Sequence, residues 1–311
     1  MSYVFGRSHR QPWRSKNTPG TIRKEINTEP GDCVSIDQIV SAQPGLIPQI
    51  YGYLNNMRIW GATVSVDHVS EYTHVALMRD LTLDETLLAK TSFERLANDR
   101  EVAIKAYRAD NGSFAGKGLH IAVQDSNQTI TFCAVKCHHQ NGIVERNIKE
   151  LTLIARTLLL HAILHWPFYT TTMMWPFALK EDAFCLNKCS IQIDGRSNKA
   201  TFFGIDGNII EPDMFHTFGC PCFVLDTRLK SGLSTSPKCE PRSRVGIYIG
   251  NSSAHAGTLA LVLNPRTGHV SPQLYIVFDD LFITVPSTNK SQLPPNWVEL
   301  VKDSRELVID E

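Results

Sequence analysis

Three acidic residues have the side chains and the sequence surroundings needed for metal-dependent chemistry. Asp37 lies in the middle of a β-rich run, Asp110 follows another such run, and Glu145 lies in the first turn of a predicted long helix. Carboxylate oxygens are the ligands that Mg²⁺ and Mn²⁺ prefer. Three carboxylates brought together can hold two such ions about 4 Å apart, which promotes in-line displacement at phosphorus. The three acids therefore indicate phosphoryl transfer with two Mg²⁺ or Mn²⁺ ions.

Each acid also has a structural explanation when it is considered alone. Asp37 is acceptable on an edge strand, and Asp110 precedes Asn-Gly, where an acid is common in turns. Glu145 gains from the helix dipole, which favours negative charge in the first helical turn. The order of the three is more specific than any one of them. It runs from an acid on the first strand to an acid at the end of the fourth, and then to a glutamate on a later helix.

The elements that carry these acids alternate between strands and helices. Strands are predicted from β-rich runs at residues 33–40, 59–69, 74–78, 103–107 and 129–135. The first helix is predicted to begin at Thr82, which has capping-box spacing to Glu85. It ends near residue 98, and further helices are predicted at 118–124, 143–166 and, as a pair, 173–188. This order predicts an α/β domain with a mixed sheet flanked by helices.

A change of pattern after residue 219 indicates a second domain. Short strands separated by turns are typical of a small β-barrel, and they are predicted at 222–225, 245–250, 258–263 and 275–278. The chain then divides into a basic flexible leader at 1–30, an α/β core at 31–200, a small β-barrel-like domain at 201–285 and a linker or tail at 286–311.

Composition excludes several classes of protein. Hydrophobic residues make up 42% of the 311 residues, which excludes long disorder and collagen-like repeats. Lys and Arg number 31, as do Asp and Glu, so any binding site for a polyanion must be local. Candidate local sites are the leader, Lys149, and a loop region with Arg228, Lys230, Arg242 and Arg244, where a solvated surface is the alternative. No apolar run reaches the roughly 18 residues of a membrane span.

Two short motifs connect the acids to a known family. Residues 107–112, Tyr-Arg-Ala-Asp-Asn-Gly, resemble the R-x-D-N-G motif of retroelement integrases, and residues 139–146 resemble their Q-N-G-x-x-E-R motif. Residues 66–72 are similar to the D-x-x-S-R-Y motif of these enzymes, with Glu71 in place of the usual Arg. Residues 215–224, 244–250 and 264–268 resemble C-terminal segments of copia-type elements. The chain is thus identified, over about residues 30–285, as a member of the copia-type (Pseudoviridae) retrotransposon integrases.

This resemblance implies a fold, a site and a reaction. The fold is a ribonuclease H-like core followed by a small β-barrel-like domain. Asp37, Asp110 and Glu145 are the implied catalytic and metal-binding residues, holding two Mg²⁺ or Mn²⁺ ions. The reaction is trimming of the element's 3′ ends and strand transfer into target DNA. The implied contacts with DNA are Gln140, Asn141 and Gly142 in a loop beside the scissile phosphate, Lys149 at the DNA end, and Arg228, Lys230, Arg242 and Arg244.

The resemblance also implies partners and a location. The partners are double-stranded DNA, further copies of the chain and a reverse transcriptase in the same polyprotein, with no membrane. The location is the nucleus, after assembly in cytoplasmic particles. For Lys149, an ordinary surface pair with Glu145 is the alternative.

Two departures from the family pattern keep a second hypothesis open. Between Asp110 and Glu145 there are 34 residues, against about 35 in the family, and residues 1–31 contain no Cys for a His-His-Cys-Cys zinc module. The Cys133–Cys137, Cys185–Cys189 and Cys220–Cys222 pairs are predicted to be buried free thiols, with a zinc site as the alternative, so no zinc is expected in this chain. The alternative is a decayed or host-adopted copy that binds nucleic acid without catalysis. A ribonuclease H shares the core but not the Gln-Asn-Gly motif.

Overall fold

The computed structural model describes residues 27–47, 57–110, 112, 114–133, 141–205, 214–226, 241–252 and 259–285. Residues 1–26 of the leader, the tail, Gln140, Arg228 and Lys230 lie outside the described residues. Five strands form a first sheet: β1 (Val34–Gly45), β2 (Ile59–Asp67), β3 (Thr73–Met78), β4 (Ala106–Ala109) and β5 (Thr129–Phe132). Their order is β3-β2-β1-β4-β5.

This first sheet is mixed. Strand β1 pairs antiparallel with β2 and parallel with β4, while β4 pairs parallel with β5 and β2 antiparallel with β3. The helices around it are α1 (Leu83–Asn98), α2 (Lys117–Asp125), α3 (Gly142–His165), α4 (Trp175–Cys189) and α5 (Asn198–Phe203). The predicted α/β class, a ribonuclease H-like mixed sheet flanked by helices, is confirmed.

The two faces of the first sheet pack against different helices. On one face, Ile36 and Tyr107 are buried with Phe93 of α1 and Leu119 of α2. On the other face, the side chain of Val64 is buried with residues of α3 and α4, among them Leu151. Because side chains alternate between faces along a strand, consecutive residues of β1 point to opposite faces. The face of a given β1 residue therefore follows from its register with β2.

A second sheet follows the helices. Its strands are β6 (Pro221–Leu225), β7 (Ser243–Asn251), β8 (Ala260–Leu263), β9 (Val270–Gln273) and β10 (Ile276–Phe278), in the order β10-β6-β7-β8-β9 with every pairing antiparallel. The predicted second domain is thus a five-stranded antiparallel sheet, and closure into a barrel is not shown by the described strands. In the described ranges no helix is both long and apolar enough to cross a membrane.

The second sheet is joined to the core through a buried acid on α4. The hydroxyl of Tyr248 on β7 donates to Oε1 of Glu181 at 3.0 Å, and the glutamate is only 4% exposed. Gly250 has a φ of +116°, and a Cβ at this position would lie 2.9 Å from Oε2 of Glu181. A glycine here therefore allows both the backbone conformation and the close approach of β7 to α4.

Burial of Glu181 predicts a pH dependence of stability. Burial raises the pKa of this carboxyl from 4.5 to about 7, although hydrogen bonds from Tyr248 and from the backbone of Asn251 lower it. Because the pKa is higher in the folded protein, the stabilisation is complete below about pH 4.5 and is lost as pH rises through about 7. The free energy of unfolding should fall over this interval by at most about 3 kcal/mol.

Urea unfolding of the wild type and of Glu181→Gln between about pH 5 and pH 8.5 measures this effect. The glutamine keeps an oxygen for the Tyr248 hydroxyl but does not titrate, so the difference between the two proteins isolates Glu181. We expect the stability of the variant to fall less steeply with pH. Parallel curves for the two proteins would show that Glu181 does not titrate in this range.

Candidate active site

The register of two strands brings Asp37 and Asp110 together. Ile36 of β1 pairs with Ala109 of β4 in parallel. Asp37 is the next residue of β1, and Asp110 directly follows the end of β4. Residues in register on parallel strands point to the same face, so the two half-buried carboxylates lie side by side. Asp37 also pairs with Val64, whose side chain packs under α3, so both acids lie on the face that α3 covers.

Glu145 approaches the same face from α3. The helix begins at Gly142, directly after Asn141, whose side-chain amide Nδ2 donates to the backbone oxygen of Ile36 at 3.3 Å. Ile36 immediately precedes Asp37. Glu145 lies four residues after Asn141, which is one helical turn on the same face. The start of α3 is thus held against β1 beside Asp37, and Glu145 is half-buried one turn further.

All three acids affect the pKa of one buried thiol, that of Cys133. The backbone N–H of Cys133, directly after β5, donates to the oxygen of Ala109 at 3.1 Å. Burial raises the pKa of the Cys133 thiol, and the negative charges of Asp110, Glu145 and Asp37 raise it further, while Arg108 lowers it. All three carboxylates therefore act on the same buried sulfur atom.

The chemistry of the three side chains fits a hard divalent cation, since carboxylate oxygens are the ligands that such ions prefer. Asp37 accepts the backbone N–H of Gln38 at Oδ1, 2.7 Å away. Within the described ranges, no three His, Cys, Asp or Glu side chains lie close enough to hold a metal ion as they stand. Side-chain movements would be needed before Asp37, Asp110 and Glu145 could hold one ion together.

The described residues that are expected to contact DNA fall into two groups, one at α3 and one at β7. Asn141 is buried, Gly142 is half-buried, and Lys149 is exposed on α3 four residues after Glu145. Arg242 is exposed and its backbone oxygen accepts the Asp226 N–H at 2.9 Å, while Arg244 is half-buried on β7. The structure therefore brings Lys149 to the helix that carries Glu145 and leaves the two arginines on the second sheet.

Two further acids near the core have structural partners. Asp67, at the end of β2, is completely buried and accepts hydrogen bonds from the backbone of Gly31, Val69 and Ser70 and from the Ser70 hydroxyl. It therefore braces the β2–β3 turn. The Asp-x-x-Ser spacing is a usual turn signal and could have indicated this role.

The second of these acids, Glu71, lies where the family has Arg, and its Oε1 accepts from Arg146 of α3 at 3.5 Å. This contact is exposed and contributes little to stability. It does orient Arg146, which follows Glu145, towards the β2–β3 turn.

Where the structure describes them, these cysteines are free thiols, but not all of them are buried as predicted. Cys133, Cys220 and Cys222 are buried, Cys185 is half-buried and Cys189 is exposed. Burial raises the pKa of Cys222 to about 12. Cys137 lies outside the described residues.

Comparisons with known proteins give likenesses in fold only. No family model and no curated protein matches the chain. The magnesium-bound integrase catalytic core of HTLV-2 is 17% identical, covers 56% of this chain and 97% of that chain, and has a TM-score of 0.38. A simian T-cell lymphotropic virus intasome in complex with the PP2A regulatory subunit B56 gamma is 14% identical, with 80% and 79% covered and a TM-score of 0.42. The catalytic core of BIV integrase is 15% identical, with 56% and 95% covered and a TM-score of 0.39. Likenesses at this level do not assign a function to the chain.

Proposed function

We propose that this chain is the integrase part of a copia-type retrotransposon polyprotein, and that it joins element DNA to target DNA in a metal-dependent reaction. The observation that carries the proposal is the parallel register that sets Asp37 beside Asp110 on the sheet face covered by α3. Asn141 holds the start of that helix against β1, and Glu145 follows one turn later. The motifs around Asp110 and Glu145 support the same reading.

The reaction consists of two displacements at phosphorus. In end processing, a water oxygen bonds to phosphorus while the bond to the leaving 3′-oxygen breaks, which leaves a free 3′-hydroxyl on the element strand. In strand transfer, the oxygen of that hydroxyl bonds to a target phosphorus, and the displaced target 3′-oxygen takes up a proton. When bound, two Mg²⁺ or Mn²⁺ ions supply charge stabilisation and an activated water. The role of Asp37, Asp110 and Glu145 is to hold and orient, since phosphoryl transfer needs little covalent help.

Several basic side chains are available for the DNA backbone. Lys149 is exposed on the helix of Glu145, and Arg242 is exposed at the start of the second sheet. Contacts of lysine and arginine with phosphates tolerate any sequence and weaken as salt rises. The proposal therefore includes double-stranded DNA as the substrate, bound without strong sequence preference. It further includes other copies of this chain, a reverse transcriptase from the same polyprotein, and action in the nucleus after assembly in cytoplasmic particles.

The experiment that tests this function is strand joining by the purified chain. A duplex with a pre-cut 3′ end is incubated with plasmid DNA and Mn²⁺ or Mg²⁺, and covalently joined product is measured with and without a chelator. We expect metal-dependent joining, at a low rate for the isolated chain. DNA binding without any joining would favour the alternative, a copy that retains nucleic-acid affinity but has no catalysis.

Gly142 offers a prediction about how closely DNA approaches. A Cβ added at Gly142 meets no atom of the described residues within 4 Å, so Gly142→Ala should fold as the wild type does and helix α3 should be slightly more stable. If a DNA backbone approaches this residue, the added methyl group interferes only in the complex. We expect joining to fall about tenfold while the unfolding temperature stays the same or rises. Unchanged joining would show that DNA does not contact Gly142.

A further inference from the structure

The side chain of Asn141 is used in an unusual way for a residue at the start of a helix. Asparagine at this position commonly accepts an N–H of the first helical turn. Among the described residues, Asn141 makes no such side-chain cap for α3. Its amide instead donates to the backbone oxygen of Ile36, 105 positions earlier in the chain. The contact therefore connects a helix to a strand and does not stabilise the helix end itself.

This contact lies close in sequence to two of the three acids. Ile36 is followed by Asp37, and Asn141 is followed, one turn later, by Glu145. One hydrogen bond of 3.3 Å thus fixes the distance between the segments that carry the two carboxylates. Asn141 is 1% exposed, so its amide is not presented to a ligand at the surface. Its Oδ1 is also buried, without a hydrogen-bond partner among the described residues.

We infer that Asn141 is a positioning residue: its side chain fastens the first turn of α3 to β1 and so sets the place of Glu145 relative to Asp37. This inference rests on the proposed function, because it gives Glu145 a role in catalysis. It differs from the sequence-based expectation, in which Asn141 contacts DNA at the scissile phosphate. In the inferred role, loss of the amide changes the geometry of the acids and leaves the affinity for DNA unchanged.

The test compares the full chain with three variants. Asn141→Ala removes the amide, and Asn141→Asp keeps the size of the side chain but cannot donate to the Ile36 oxygen as a carboxylate. Asn98→Ala is the matched control, because it makes the same change at an exposed position at the end of α1, outside residues 146–149. The amides of residues 146–149 donate to the carbonyls of the first helical turn, so their hydrogen exchange reports its attachment.

We expect both Asn141 variants to exchange at residues 146–149 about fivefold to tenfold faster than the wild type, as loss of one hydrogen bond predicts. The control should exchange at the wild-type rate. Strand joining should fall by about tenfold to a hundredfold in the Asn141 variants, since small displacements of catalytic groups are costly. Binding to duplex DNA, measured by fluorescence anisotropy, should stay within about twofold of the wild type.

Two results would overturn the inference. Exchange at residues 146–149 that is equal in all four proteins would show that the amide does not fasten the helix. A loss of DNA affinity as large as the loss of joining would show that Asn141 acts by contacting DNA. If the wild type itself does not join DNA, the proposed function fails. The exchange data then still decide whether Asn141 holds the helix against β1.

Discussion

Replacing Asp110 by Asn is expected to lower the rate of DNA joining by roughly a hundredfold to a thousandfold, the range seen when one strong electrostatic contact to a transition state is removed. The asparagine has nearly the same shape but lacks the charge needed to hold a divalent cation. Asp37→Asn and Glu145→Gln should have effects of the same size, because the two ions share the three carboxylates. Each variant should still fold and bind duplex DNA.

A matched control separates the site from general effects of charge. Asp125 is exposed at the end of α2, a helix that packs on the opposite face of the sheet from α3, and Asp125→Asn removes the same charge. Joining by this variant should equal that of the wild type. If Asp110→Asn joined DNA at the wild-type rate, Asp110 could not be a ligand of an essential ion.

The second large effect concerns stability and an acid that does not belong to the site. Asp67→Ala should lower the free energy of unfolding by about 3–4 kcal/mol, because three backbone N–H groups and a hydroxyl lose a buried charged acceptor. One of these donors is Gly31, which precedes β1, so the start of the strand that carries Asp37 is loosened as well.

Urea unfolding at neutral pH measures this loss, with Asp125→Ala as the control on an exposed site. The control should change stability by less than about 0.5 kcal/mol. A loss of less than about 1 kcal/mol for Asp67→Ala would show that other groups replace the carboxylate, and Asp67 would then not brace the β2–β3 turn.

Much of the first domain could be predicted because its signals are local. The side chain of Thr82 accepts from the Glu85 N–H at the start of α1, as the capping-box spacing predicts. The predicted boundaries of an element differ from the observed ones where the pairing of strands sets them. Residues 103–105 are β-rich, but β4 begins only at Ala106, near the point where Tyr107 meets Val34 of β1. The predicted helical pair at 173–188 is a single 3₁₀ turn followed by α4.

The second sheet shows why sequence patterns can miss a strand. Strand β9 was not predicted, and it contains Pro272, a residue that argues against a central strand. It lies at the edge of the sheet, where a missing N–H is tolerated. Whether a strand tolerates a proline depends on its place in the sheet, and no short segment of the sequence specifies the order of the strands.

The candidate site was predictable in its residue types and only partly in its geometry. The three acids and Lys149 follow from motif and spacing. The adjacency of Asp37 and Asp110 depends on the β1–β4 register, and the contact between Asn141 and Ile36 joins segments more than 100 residues apart. No periodic pattern of residues in the sequence predicts such a contact, because the contact depends on how α3 packs across the sheet.

The central claim, that Asp37, Asp110 and Glu145 form one metal site, is tested most directly by a calorimetric titration with Mn²⁺. The wild type and the Asp37→Asn, Asp110→Asn double variant are compared at the same pH and salt concentration, with and without duplex DNA. We predict weak binding of Mn²⁺ by the wild type, a further binding event when DNA is present, and loss of both in the variant. An equal affinity for Mn²⁺ in the two proteins would contradict the claim.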